Sequence, residues 1–369
     1  MDPGDPIPDA ARQPGLRWRI APVESLAADA WDRIALGRGY PAFMRSHVIV
    51  AALAEFGTGR EVVATCERDG ATVAMGVFIR TRTATWETFQ PSQIPLGAFV
   101  HDGSLSIEPA LWSLIRALPG LAVIVALTQE DPSIDVRPAD SAILRSVDYI
   151  DTARVNVAGT FDEYWAARGK NLRTNVKRQH AKLAAEGITV HVETIVGVQS
   201  VANAIVEYGR LESAGWKAGG GTAVSADNAQ GRFYRRVFEA CCERGAGRIF
   251  RCLFDGVPVA TDLCIEEGGV LVVLKTTYDE RWKSVSPASL LRHAYFRTVF
   301  ESGSVRTIEF YGRVMEWHRR WTDDVRTLYH VNVYRSALLR KVHERLAGRR
   351  VLGERVAAGP TDHEPPARS

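Results

Sequence analysis

A short run, Lys283-Ser284-Val285-Ser286-Pro287-Ala288-Ser289-Leu290-Leu291, carries the residue types that hold an anion at the start of a helix. Ser286 fits an N-cap. Pro287 fits the first helical position, where its missing N–H costs nothing. Small side chains at Ala288 and Ser289 let a phosphate approach the backbone, and unpaired N–H groups with the positive dipole end attract it. Lys283, Ser286, Pro287, Ala288, Ser289 and Leu290 are therefore candidates for holding a phosphate-bearing ligand, although an ordinary capped helix explains the same pattern. A second candidate is Glu212. Val201, Ile205, Tyr208 and Glu212 recur at spacings of four, three and four, which puts a carboxylate at the end of an apolar helix face. A buried acid needs a partner or a proton, and either state suits a general base; the alternative is a side chain frayed into solvent. In the run Val270–Tyr278, alternation places Lys275 on the face of Leu271 and Val273 and Tyr278 on the opposite face. Lys275 can bind an anion or pair with Glu212 or Asp262, and Tyr278 can act as a general acid. Asp262, an acid in the apolar run Val259–Ile265, is a candidate substrate contact or a pairing residue. The basic stretch Lys170–Lys182 has Leu172, Val176 and Leu183 along one stripe, which fits a solvated helix surface; a phosphate-bearing substrate is the sharper reading.

The elements that must position these groups follow one order twice. In the first half an extended Leu16–Pro22 precedes helical patterns near Ser25–Leu36 and Ser46–Phe56. Strand-like runs at Glu61–Arg68, Thr72–Arg82 and Ala84–Phe89 come next, then a helix at Glu108–Leu118 and strands at Leu121–Leu127 and Tyr149–Val157. The second half predicts a strand at Ile188–Glu193 and helices at Gln199–Ser213 and Asn228–Arg244. Strands at Arg248–Phe254, Pro258–Ile265 and Val270–Tyr278 follow, then a helix at Pro287–Ser302 and strands at Arg306–Tyr311 and Thr327–Tyr334. Asp69-Gly70 and Asp255-Gly256, both strong hairpin signals, mark the same turn in each half. The fold class expected is α/β with mixed sheets in two tandem domains, spanning 16–159 and 160–351. Residues 1–15 and 352–369 read as a flexible N-terminus and a disordered tail.

Composition sets bounds on the partners. The 369 residues suffice for two cores. With 46% hydrophobic and 24% charged residues the chain is of globular type, and a net charge of +3 falls short of a nucleic-acid footprint. Cys66, Cys241, Cys242, Cys252 and Cys264 are odd in number and lack CxxC spacing, so they read as buried thiols rather than disulfides or metal ligands. No metal is expected. The Pro- and Asp-rich first residues show no secretory signal, and apolar runs such as 121–127 are too short to span a bilayer, so cytoplasm is the expected location.

Three linked motifs resemble one family: the GNAT-fold acetyltransferase-like proteins associated with bacterial cellulose and exopolysaccharide synthesis, related to Fem aminoacyl transferases. Glu212-Ser213-Ala214-Gly215-Trp216-Lys217, with Gly221-Thr222-Ala223, is similar to its E-x-x-G-W-K…G-T-A pattern. Lys275-Thr276-Thr277-Tyr278-Asp279, then Ser286-Pro287 and Leu290-Leu291, is similar to K-x-x-Y-D…S-P-G-x-L-L, with Ala288 in place of the glycine. Glu309-Phe310-Tyr311 through Trp317-His318-Arg319-Arg320-Trp321 resembles D-F-…-Y-K-x-R-W, with His318 replacing the lysine. Arg173–Gly187 is similar to the family's basic lead-in helix. The resemblance covers roughly 16–345 and implies two tandem GNAT-like domains, the second catalytic. It implies acetyl-CoA or another acyl-CoA as donor and direct N- or O-transfer to a small-molecule, saccharide or peptide precursor of the cell envelope or exopolysaccharide. Trp216, Lys217, Asp262, His318, Arg320 and Trp321 become candidate substrate contacts, and Glu212, Lys275 and Tyr278 candidate catalytic groups. Peripheral association with envelope synthesis machinery would fit. The alternatives are Fem-like transfer from aminoacyl-tRNA, the one case calling for nucleic acid, and a catalytically silent scaffold subunit of a polysaccharide synthesis complex.

Overall fold

A computed structural model describes residues 15–82, 84–213, 224–225 and 227–346. The first half runs β1 (Arg17–Pro22), α1 (Ala28–Arg38), α2 (Ser46–Phe56), β2 (Val62–Arg68), β3 (Ala71–Arg82), β4 (Thr85–Thr88), β5 (Phe99–His101), α3 (Ile107–Ala117), β6 (Ile124–Glu130) and β7 (Leu144–Asn156). The second runs α4 (Phe161–Ala166), α5 (Lys170–Ala185), β8 (Val190–Ile195), α6 (Val201–Ser213), α7 (Ala229–Glu243), β9 (Gly247–Phe254), β10 (Val257–Glu267) and β11 (Val270–Tyr278). It closes with α8 (Pro287–Ser302), β12 (Thr307–Glu309), α9 (Glu316–Trp321) and β13 (Val325–Tyr334). Both Asp-Gly turns form with left-handed backbones, φ 52° and 80° at Asp69-Gly70 and 48° and 79° at Asp255-Gly256. That geometry matches the twist of the flanking strands.

The halves share one sheet. Its order is β1-β2-β3-β4-β6-β13-β7-β12-β11-β10-β9-β8, with β5 paired to β3 off this path. Each half's last strand stands beside the other half's penultimate strand. β7 pairs antiparallel with β12, Asn156 opposite Thr307 and Arg154 opposite Glu309. β13 pairs antiparallel with β6, Tyr334 opposite Ile124. The two exchanged strands pair with each other from Val325–Ala153 to Val333–Leu144.

Strand alternation divides the helices between the faces. Val63, Met75 and Val77 share a core with Ile249, Leu263 and Val272, and α1, α2, α6 and α7 close over it. Across the α2–α7 seam, Phe56 and Phe233 rings lie 5.3 Å apart and Arg232 meets Glu55 at 2.8 Å. On the opposite face, α3 covers the first half. There α4, α5, α8 and α9 cover the second, around Phe161, Leu183, Tyr295, Phe296 and Trp321.

The halves differ where their central parallel strands part. In the first, β4 and β6 pair over Thr85–Glu87 and Ile124–Ala126, and the chain just beyond β4 fills the space ahead. Gly97 N–H donates to Thr128 O at 2.9 Å, and the Thr88 and Thr128 hydroxyls meet at 2.7 Å. A Cβ at Gly97 would collide with both threonines. In the second, β11 and β12 pair only from Val270–Thr307 to Val272–Glu309, while β11 runs on to Tyr278. Among the described residues, no strand pairs with β11 on that edge beyond Val272.

Candidate functional site

The site is built where β11 leaves β12. Leu274 has no register partner on β10, because Cys264 faces Val273 and Leu263 faces Lys275. One extra residue resets the alternation. Leu271 and Val273 pack on the α8 side, and Lys275 turns to the α6–α7 side. This corrects the expectation that Lys275 shares a face with Leu271 and Val273. Its Nζ lies 3.1 Å from Glu212 Oε1 and 3.2 Å from Gln230 Oε1. The Tyr234 and Tyr208 rings stand 5.5 Å and 6.0 Å away. Tyr278 points to the α8 side and packs against its core.

Glu212 closes α6 as a buried side chain, 3% exposed, so it does not fray into solvent. Its Oε2 accepts the Val224 N–H at 2.8 Å. Gly209, one turn earlier, makes room, since a Cβ there would strike the Val224 carbonyl. A carboxylate held by an ammonium and a backbone donor is placed to take a proton from a bound nucleophile. Burial, then the Glu212 charge, pushes the Tyr208 and Tyr234 phenols up, so both are protonated donors. Trp216, Lys217 and the G-T-A segment lie outside the described residues.

α8 aims its N-terminus at the gap. Pro287 occupies the first turn as expected, but Ser286 does not cap with its side chain. Its backbone is left-handed, φ 47°, whereas side-chain capping needs an extended residue. Its carbonyl accepts instead from Ser289 N–H at 2.8 Å and Leu290 N–H at 3.3 Å. A cavity of about 520 Å³ opens here, lined by Glu212, Thr276, Tyr278, Lys283, Ser286, Pro287, Ala288, Ser289, Arg292, Trp317 and Arg320 among others. The Leu290 side chain, 1% exposed, belongs to the core behind α8 and not to the cavity wall.

Arg292 is the site residue that the sequence reading missed. It is buried, donates to both Asp262 oxygens at 3.0 Å and 3.2 Å and to Thr276 Oγ1 at 2.6 Å, and lies 4.2 Å from the Trp317 ring centre. Tyr295 donates to the same Asp262 at 3.0 Å. Asp262 is fully enclosed and lines neither cavity, so it reaches the groove only through Arg292. Two other expected contacts also turn inward. The His318 ring stacks on Trp317 at 3.5 Å and its Nδ1 accepts from Met315 N–H at 2.9 Å. Burial, then the Arg292 charge, pushes its pKa down to about 4. Trp321, 1% exposed, is wedged between Phe296 and Trp165. Arg320 does line the groove, paired with Glu316 at 2.6 Å. It also lines a second cavity of about 590 Å³, between α5, α9 and the α8 N-terminus.

Other chemistries find less support. The five cysteines are free and buried, and burial pushes Cys66, Cys241 and Cys252 up to about 12, which disfavours the thiolate. Among the described residues there is no His, Cys, Asp or Glu cluster suited to a metal, and no helix is long and apolar enough to cross a membrane.

Residues 170–319 match the family model described as acetyltransferase (GNAT) domain. Residues 170–319 therefore carry a GNAT acetyltransferase domain, which supports an acyltransferase. No curated protein matches the sequence. Among solved structures, FemX aligns with TM-score 0.54 at 9% identity, covering 83% of this chain and 96% of its own. The C-terminal domain of a lysylphosphatidylglycerol synthetase-like protein from Agrobacterium fabrum aligns with TM-score 0.53 at 14% identity, covering 85% and 94%. A conserved protein of unknown function from Bacteroides thetaiotaomicron aligns with TM-score 0.50 at 11% identity, covering 84% and 97%. At these identities the likeness is one of fold.

Proposed function

We propose that the second half transfers an acyl group from acyl-CoA directly to an amine or hydroxyl of a cell-envelope or exopolysaccharide precursor. The observation that carries this reading is the gap beyond Val272–Glu309, where β11 continues to Tyr278 without β12 on that edge and meets the N-terminus of α8. A thioester arm laid along the open edge of β11 gains backbone donors for its carbonyl, and its pyrophosphate gains the helix end and Lys283. The acceptor attacks the thioester carbon and its proton passes to Glu212, directly or through water. The tetrahedral intermediate then collapses, the C–S bond breaks, and Tyr278 protonates the departing sulfur. Lys275 holds Glu212 near the acceptor, and Arg292 contributes positive charge fixed by Asp262. On this reading the chain divides near 159–160. The first half is non-catalytic, because the chain after β4 already occupies its equivalent gap. The acceptor class rests on motif likeness to the exopolysaccharide-associated proteins.

Calorimetry of the full chain with acetyl-CoA tests the donor, and thiol release with amine and saccharide acceptors tests the transfer. Micromolar binding followed by acceptor-dependent thiol release is the expected result. Absence of binding at millimolar acetyl-CoA overturns the reading.

A further inference from the structure

A helix at 337–346 follows β13 and is amphipathic, yet it meets the body of the protein with its polar side. Arg340 Nη1 donates to Leu144 O at 3.1 Å, its Nε donates to Glu344 at 3.0 Å, and the Tyr334 hydroxyl lies 3.0 Å from His343 Nδ1. The apolar side looks outward. Leu338, Val342 and Leu346 recur every fourth residue, so they stand in one row along the helix, and they are 72%, 44% and 55% exposed. None of the three belongs to an apolar core of the fold. Single exposed leucines are ordinary, but an aligned row on a helix attached by its polar side marks a contact surface.

The charge beside that row has one sign. Helical spacing sets Lys341 and Arg345 next to Leu338 and Val342, and both are exposed. Glu344, the one carboxylate between Arg335 and Leu346, is taken up by Arg340. At the foot of the helix, Trp112 Nε1 donates to Arg335 O at 3.2 Å, and the Arg116 guanidinium lies 4.0 Å from the Trp112 ring centre. Arg335 N–H donates to Val123 O at 2.8 Å, two residues from the exposed Leu121. A second copy fits this face poorly. Pairing it with itself sets like charges together, and a helix about 15 Å long covers little of the roughly 800 Å² per partner in a stable interface. Apolar side chains flanked by lysine and arginine, with a tryptophan at the edge, match the boundary between lipid headgroups and acyl chains. We propose that the helix at 337–346 rests on an anionic phospholipid surface. Leu338, Val342 and Leu346 enter the acyl boundary, and Lys341 and Arg345 meet lipid phosphates. One short helix holds the protein there reversibly. This docking stands independently of the acyl-CoA reading.

The test is flotation of the intact protein with vesicles of phosphatidylcholine alone, or of phosphatidylcholine and phosphatidylglycerol in equal parts. Partitioning should be at least about tenfold stronger on the anionic vesicles and should weaken as salt is added. Leu338→Asp with Val342→Asp should reduce it by about tenfold or more. Lys341→Gln with Arg345→Gln should reduce it by about fivefold for each charge. Val136→Asp, at a valine 89% exposed elsewhere on the surface, should leave it unchanged. All these side chains are exposed, so the thermal midpoints and acetyl-CoA affinities of the variants should equal those of the unaltered protein. Absence of binding to anionic vesicles overturns the docking and leaves the transferase reading standing. Full binding by the Leu338/Val342 variant, or equal loss in Val136→Asp, overturns it as well. A dimer in sedimentation velocity that Leu338→Asp dissolves assigns the face to a second copy instead.

Discussion

Arg292 of α8 grips Asp262 of β10 through two hydrogen bonds, with neither side chain more than 5% exposed. The pair ties the helix to the sheet at the edge of the open gap. A buried ion pair is costly to halve but not costly to replace whole. Asp262→Ala should therefore cost about 3–5 kcal/mol in urea unfolding. The double variant Asp262→Leu with Arg292→Met should recover most of that loss. Acyl transfer should stay lost in the double variant, because the groove loses its fixed positive charge. Recovery of activity together with stability would show that Arg292 only packs.

Glu212→Gln keeps an oxygen for the Val224 N–H but removes the proposed base and the carboxylate that Lys275 meets. Turnover should fall by about 10²–10⁴-fold, the usual weight of general base catalysis. Acetyl-CoA affinity should change by less than threefold, roughly the calorimetric scatter. Steady-state thiol release beside calorimetry separates the two effects, and full turnover would remove Glu212 from the mechanism.

Ser286 tests the helix end in two directions. Ser286→Glu sets a negative charge where the pyrophosphate is placed and should abolish acetyl-CoA binding. Ser286→Gly relieves a left-handed backbone that costs a side chain roughly 1–2 kcal/mol, so the midpoint of denaturant unfolding should rise while binding persists. Equal affinity in all three proteins would move the phosphate site away from α8.

Three half-buried or buried imidazoles make the protein acid-sensitive. His47, His293 and His318 are each pushed down to about 4, by burial first and then by neighbouring arginines. An unfolded histidine titrates near 6.5. Between these values the unfolded chain binds protons that the native side chains refuse, so stability is complete above about 6.5 and is lost as pH falls toward 4. The thermal midpoint should drop between pH 7 and pH 5, and His318→Gln should lessen the drop. An unchanged pH slope in that variant would show that His318 does not contribute to it.

Local pattern carried the elements well. The bounds of α2, β11 and α8 follow from periodicity, the Ser286-Pro287 start and Gly303 after the last turn. The strand expected at Leu121–Leu127 starts later, at Ile124, because an unbroken apolar run gives no phase, and Leu121 is 58% exposed. The short α4 and α9 hold too few turns for a period to show. The site was less legible for a different reason. A single inserted residue at Leu274 exchanges the faces of everything after it, and no composition cue marks that slip. Arg292 sits in an amphipathic helix where an arginine ordinarily faces water, so only the buried Asp262 opposite could have betrayed it. His318, Trp321, Leu290 and Asp262 belong to matched motifs or apolar runs, yet their side chains turn to the core, since a motif fixes residue type without fixing direction.

The placement of β7 and β13 means that neither half is a finished object. Residues 1–159 made alone would lack the neighbour that β6 requires, and residues 160–369 would lack the strand that seals β12. Each fragment would expose a bare ladder edge, prone to stick to its own kind. Mixed together, the two should complement one another, and a proteolytic nick in the linker near Ala158–Gly159 should leave the pieces interlocked. In mechanical terms the chain is a strand-swapped dimer written as one polypeptide, in which each half is a building partner for the other.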